Sequence, residues 1–199
     1  MSAEDLSGIY KTNTKYSASY VTDDGETPYF HIQRLTTDSK YNDFAILSGN
    51  PEEPGQYLVM KYRSKSSEEE PPSGTLFAKT SEFAGAVTAK NFNYPLNDRE
   101  EEPQWHVIVI DLSAHNQFLP RKPGKYLASD IVLRLFGRGW WGGNATTPAV
   151  EDYIDFAYIA MVNDLDDLKD IVSEETFDYM TKWNASEKRN TANPTVKAE

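Results

Sequence analysis

Two adjacent tryptophans stand in the segment Gly137-Arg138-Gly139-Trp140-Trp141-Gly142-Gly143-Asn144. On a strand, neighbouring side chains point to opposite faces, so both rings cannot enter one core. In a glycine-rich loop both can project together, and an exposed aromatic patch marks a binding surface. Flat rings suit the apolar faces of pyranose sugars, while Arg138 and Asn144 can bond to hydroxyls. Trp140, Trp141, Arg138 and Asn144 are therefore the candidate carbohydrate-binding residues. The competing reading is that one indole plugs an end of the fold and the other covers it. Trp105 and Trp183 are assigned to a core strand and a late helix.

Other chemistry is mostly set aside. The same segment matches G-x-G-x-x-G after a strand, but a dinucleotide site needs a helix to begin there, and Ala145-Thr146-Thr147-Pro148 follows instead. His31, His106 and His115 lack metal-pair spacing, and no H-E-x-x-H occurs. His106, beside Trp105, reads as structural. There is no G-x-S-x-G elbow, and Ser113 reads as a strand-end turn. Asp111 and Asp155 have apolar neighbours and are the carboxylates expected to be buried. They read either as partners of turns, Arg63 or Arg134, or as an acid/base couple of the kind glycosidases use. Asp164, Asp166, Asp167 and Asp170 lack the glycine and terminal Glu of an EF-hand loop and read as helix-terminal charge. No cofactor is expected. A structural calcium stays open, with no ligands placed. The sequons at Asn144 and Asn184 are taken as chance.

The elements that would position these residues are strands. The chain has 199 residues, a formal charge of −11, no cysteine and 13% aromatic residues. Its length predicts one domain. Its acidity argues against nucleic acid as a partner, and the lack of cysteine removes disulfides and thiolate chemistry. No apolar run reaches the roughly 20 residues of a membrane span. Tyr57 to Arg63 alternates, with Leu58, Met60 and Tyr62 on one face and Lys61 and Arg63 on the other. Trp105–Leu112, Ile131–Phe136 and Tyr153–Met161 read as further strands, and weaker ones fall at 29–32, 44–47 and 75–78. A helix over Asp164–Val172, capped by Asn163, and a second over Glu174–Trp183 come late. The expected fold is all-β, a β-sandwich of jelly-roll type with a short C-terminal helix. Residues 1–9 read as a leader, 10–184 as the domain and 185–199 as a flexible tail or linker.

Three segments resemble jelly-roll modules of secreted, multi-modular bacterial polysaccharide-degrading proteins. Gln56-Tyr57-Leu58-Val59-Met60-Lys61-Tyr62-Arg63 is similar to their "GQYLVIKYR" strand. Trp105 to Ser113 looks like their tryptophan–hydrophobic–DLS strand. Tyr153 to Met161, followed by Leu165 to Val172, looks like their closing "IDIAYIAF" strand and helix. The resemblance implies a carbohydrate-binding module that is not an enzyme, placed outside the cell or at its surface, monomeric within a larger chain. Its partner would be a polysaccharide, with no nucleic acid and no membrane insertion. Starch-type α-glucan is the first choice, because a curved chain suits two angled rings. The alternatives are a glycoside hydrolase-like enzyme with a carboxylate pair, or a cell-surface protein-interaction module.

Overall fold

The structure is a computed structural model that describes residues 1–10, 14–22, 27–36, 42–48, 57–65, 73–80, 92–95, 103–111, 128–135, 152–162, 164–185 and 195–198. Its strands are β1 (Tyr16–Val21), β2 (Tyr29–Arg34), β3 (Asn42–Ser48), β4 (Tyr57–Lys65) and β5 (Ser73–Thr80). They continue with β6 (Phe92–Pro95), β7 (His106–Asp111), β8 (Ala128–Leu135), β9 (Tyr153–Val162) and β10 (Thr195–Ala198). One antiparallel sheet has the order β1-β2-β9-β4-β7-β10, the other β3-β8-β5-β6. The fold is all-β with a short C-terminal helix, as expected, and two antiparallel sheets are compatible with a sandwich.

The larger sheet carries two chemically different faces because side chains alternate along each strand. Leu58, Met60 and Tyr62 of β4, Phe30 and Ile32 of β2, Ile154, Phe156 and Ile159 of β9 and Ile108 of β7 line one face, all essentially inaccessible. The other face takes Tyr57, Val59, Lys61, Arg63 and Lys65 from β4. Register places Val162, Ala160, Tyr158, Asp155 and Tyr153 of β9 against these five, with a bulge at Ala157.

Half of that second face is covered. A 3-10 helix (Leu165–Asp170) and α2 (Glu174–Asn184) lay Leu168 and Met180 onto Tyr57, Val59 and Val109, with Phe177 and Trp183 packed alongside. Ser173 starts α2 by accepting from the Thr176 amide at 3.3 Å. Tyr158 marks the end of this cover, its hydroxyl donating to the Ile171 carbonyl at 3.1 Å. The first helix was expected one residue earlier and as a longer α-helix. It is a 3-10 turn in which the Asp164 amide donates to the Asp167 carboxylate at 3.2 Å.

Both ends of the chain differ from expectation for one reason: backbone edges need partners. Residues expected to be a leader form α1 (Ala3–Ile9), which buries Ala3 and Leu6 completely or nearly so. The Met1 nitrogen donates to the Ile159 carbonyl at 2.9 Å, and the Ile159 amide donates back at 3.1 Å. These bonds fill the edge of β9 beyond its pairing with β2, whose register runs only from Tyr153 to Phe156. Within the expected tail, Thr195–Ala198 forms β10 and closes the other edge by pairing with β7. Backbone pairing does not require an apolar side-chain pattern, which is why composition read this stretch as a tail.

Candidate functional site

The other half of the same face, uncovered among the described residues, holds a row of side chains from four neighbouring segments. His31 on β2 stands opposite Asp155 on β9, and Asp155 opposite Arg63 on β4. Trp105, just before β7, completes the row. Asp155 is 2% exposed and faces both neighbours: its Oδ1 lies 2.6 Å from His31 Nδ1, and its Oδ2 accepts from Arg63 Nε at 2.8 Å. The Arg63 guanidinium lies 4.6 Å from the centroids of both Tyr29 and Trp105. Those two rings meet edge to face at 6.1 Å. Tyr153 tilts against His31 at 5.2 Å, and the Lys61 ammonium lies 5.8 Å from the Trp105 ring. Each of these side chains other than Asp155 is partly exposed.

The electrostatics follow from the buried carboxylate. Burial works against the Arg63 cation, but the hydrogen bond and charge of Asp155 outweigh it and hold Arg63 above its ordinary range. Burial, reinforced by the Asp155 charge and opposed by Arg63, lifts the Tyr153 hydroxyl above its usual value. A carboxylate only accepts, so Asp155 fixes the proton of neutral His31 on Nδ1 and leaves Nε2 as an acceptor. Among the described residues, Arg63 is bonded through Nε, and neither its Nη atoms nor His31 Nε2 has a hydrogen-bond partner. Asp155 therefore immobilises a guanidinium and an imidazole whose remaining polar atoms are available beside three aromatic rings. Such a surface can stack a sugar ring, bond its oxygens and present a base.

Trp140, Trp141, Arg138 and Asn144 lie outside the described residues, as do His115 and Ser113. Asp155 pairs with Arg63, one of its two anticipated partners. Asp111 is fully buried at the opposite end of the face, opposite Tyr57. The six residue steps of β4 from Tyr57 to Arg63 separate Asp111 from Asp155 by about 20 Å, more than double the widest glycosidase spacing. These two aspartates do not form a couple. His106 is buried on the apolar face with its ring 5.9 Å from that of Tyr62, a structural position. No cluster of three or more metal-ligating side chains occurs among the described residues. Nor, among them, is any helix long and apolar enough to cross a membrane.

Sequence reasoning missed Tyr29, His31, Arg63 and Trp105 as a group. The signal available was the pairing of polar positions on β4, Lys61 and Arg63, opposite the apolar ones. Trp105 was assigned to the core because its strand is apolar on both sides, whereas its ring lies over Arg63 on the uncovered half.

No family model and no curated protein matches the chain. Among solved structures it is similar to the enzymatically active domain of tailspike protein 4 from bacteriophage CBA120, at 13% identity and a TM-score of 0.40. The match covers 79% of this chain and 21% of that one, so the chain spans about a fifth of its neighbour's length. That neighbour is an enzymatically active domain, which runs against the expectation that this chain is not an enzyme, and the expectation is corrected. Within this chain, register brings Asp155 and His31 together across two strands, a pairing that local sequence patterns do not assemble. A TM-score of 0.40 carries neither activity nor substrate across to this chain.

Proposed function

We propose that the chain engages a polysaccharide on the uncovered half of its six-stranded sheet, through Tyr29, Trp105 and Tyr153 and the polar atoms of Arg63 and His31. The observation that carries this reading is the Asp155-anchored arginine between Tyr29 and Trp105. Rings fixed by such contacts lose little freedom on binding, and a half-buried arginine with free Nη donors bonds oxygens at a fixed place. The Gly-bracketed Trp140–Trp141 loop, with Arg138 and Asn144, is a second aromatic element of the same proposal. An extracellular or cell-surface location belongs to the reading as well, through the resemblance to secreted modules. Starch-type α-glucan, first choice from the sequence, gains no support from the described face.

A second reading rests on the His31–Asp155 distance of 2.6 Å. A base held in one tautomer and open at Nε2 is equipped to take a proton from a bound sugar or from a water attacking it. On this reading the face also acts on its glycan.

Electrophoresis of the protein through gels containing single polysaccharides tests the proposal. Retardation in at least one glycan gel is expected, abolished by Trp105→Ala and reduced by Tyr29→Ala. If Trp105→Ala is retarded as strongly as wild type and Trp140→Ala/Trp141→Ala is not, the site lies in the loop. If no gel retards the wild type, the proposal fails. Assay of His31→Ala for release of sugar ends from a retarding glycan decides the second reading.

A further inference from the structure

Among the described residues the uncovered half-face is cationic, although the chain carries −11. Lys61, Arg63 and Lys65 occupy alternate positions of β4 on this face, so their Cα atoms are about 7 Å apart from one to the next. Opposite them, among the described residues on this half of the face, Asp155 is the one carboxylate, and Arg63 and His31 already hold it. Lys61 and Lys65 have no carboxylate partner among the described residues. Lys61 is partly buried, with its ammonium against Trp105 instead of extended into water. A net-acidic protein that leaves three cations in line on one aromatic-bearing strand face has charge complementarity for a negatively charged chain.

We infer that the polysaccharide taken by this face is acidic, its sugar rings bearing carboxylates of the uronate type. This rests on the polysaccharide reading above and deepens it. Arg63, fixed through Nε, presents Nη1 and Nη2 as a planar fork, the geometry that matches a carboxylate with two parallel bonds. Lys61 and Lys65 flank it along the strand and meet charges further along an extended polymer. The rings of Trp105, Tyr29 and Tyr153 take the apolar faces of the sugars between those charges. Nucleic acid, the other common polyanion, is the competing occupant that the oligonucleotide arm of the test distinguishes.

The experiment compares retardation of the whole protein by polygalacturonate and alginate, by methyl-esterified polygalacturonate, by starch, and by a single-stranded oligodeoxynucleotide. Esterification keeps the sugar backbone and removes its charge. The inference expects binding to at least one of the two acidic polymers, weakening as salt rises and lost on esterification of polygalacturonate where that polymer binds. The double variant Lys61→Gln/Lys65→Gln should bind about tenfold more weakly, and Arg63→Lys should weaken binding despite keeping the charge. Equal binding to the esterified polymer or to starch, still sensitive to Trp105→Ala, overturns the acidic assignment while the polysaccharide reading stands. Oligonucleotide binding as tight as that of either acidic polymer overturns it in favour of a general polyanion surface. Binding to none of these glycans overturns it too, and only silence across every polysaccharide gel removes the parent reading.

Discussion

His31 Nδ1 lies 2.6 Å from the Oδ1 of Asp155, a carboxylate that is 2% exposed on a strand whose register sets the two residues directly opposite each other. The second oxygen of the same carboxylate holds Arg63. One buried anion thus orients two side chains from two different strands, and everything attributed to the uncovered half-face depends on it.

Replacing Asp155 with Asn keeps the volume and removes the charge. Breaking a fully buried pair costs about 3–5 kcal/mol, but Arg63 and His31 retain 21% and 24% exposure and so recover part of their solvation. The expected loss is about 2 kcal/mol, read as a lower midpoint in urea unfolding at constant slope. Glycan retardation should fall in parallel, because the Arg63 fork is no longer fixed. A variant as stable as wild type would mean that Asp155 does not anchor the row.

The helical cover is a separate source of stability. Leu168→Ala opens a cavity between the 3-10 helix and the sheet, and the expected cost is about 2–5 kcal/mol. Leu6→Ala, in α1, should cost a similar amount, since that side chain is equally inaccessible. Neither belongs to the row of side chains around Asp155, so glycan retardation of folded protein should be unchanged in both. Thermal unfolding followed by far-ultraviolet dichroism gives the first quantity. A Leu6→Ala variant with wild-type stability would restore the leader assignment for the first nine residues.

Alkaline pH should weaken the fold through Tyr153 and Tyr158, both lifted above the ordinary tyrosine value chiefly by burial. A group whose folded value is raised stabilises fully below its unfolded value near 10.0 and loses that contribution as pH rises through the folded value. Stability is therefore flat in these groups below pH 10 and declines above it. Tyr158→Phe should cost about 1 kcal/mol at neutral pH, from the lost bond to the Ile171 carbonyl, and should make the alkaline decline shallower. Urea midpoints measured from pH 7 to 11 for both proteins supply the comparison. An identical alkaline slope would remove Tyr158 from the account.

Much of the fold was legible in the sequence, and the reason lies in periodicity. Tyr57–Arg63, expected from alternation, is the start of a strand that runs to Lys65. Tyr153–Met161 ends one residue later than expected, and the 29–32 segment extends to Arg34. β1 was missed because Tyr16-Ser17-Ala18-Ser19-Tyr20-Val21 has a polar centre, which an edge strand tolerates. α1 has only seven residues, too few for an amphipathic period, although Ser2 and Asp5 form a capping box visible at that spacing. The candidate site was hidden for a different reason. Tyr29, Arg63 and Asp155 lie on three strands and Trp105 just before a fourth, and lateral order in a sheet is set by crossovers and register, which local patterns do not encode. The division of β4 was half legible: Lys61 and Arg63 were placed together, but that Tyr57 and Val59 share their face emerges only with the helices laid over them.

A polysaccharide bound on the uncovered half of the six-stranded sheet would shield the backbone of the strands beneath it. Amide hydrogen exchange of the intact protein, with and without the most strongly retarding polysaccharide, tests it most directly. Slowed exchange is expected in the segments around Tyr29–Arg34, Lys61–Lys65, Trp105 and Tyr153–Phe156, with the helix-covered half unchanged. Protection confined to the segment from Gly137 to Asn144, or no protection in any of those strands, would contradict it.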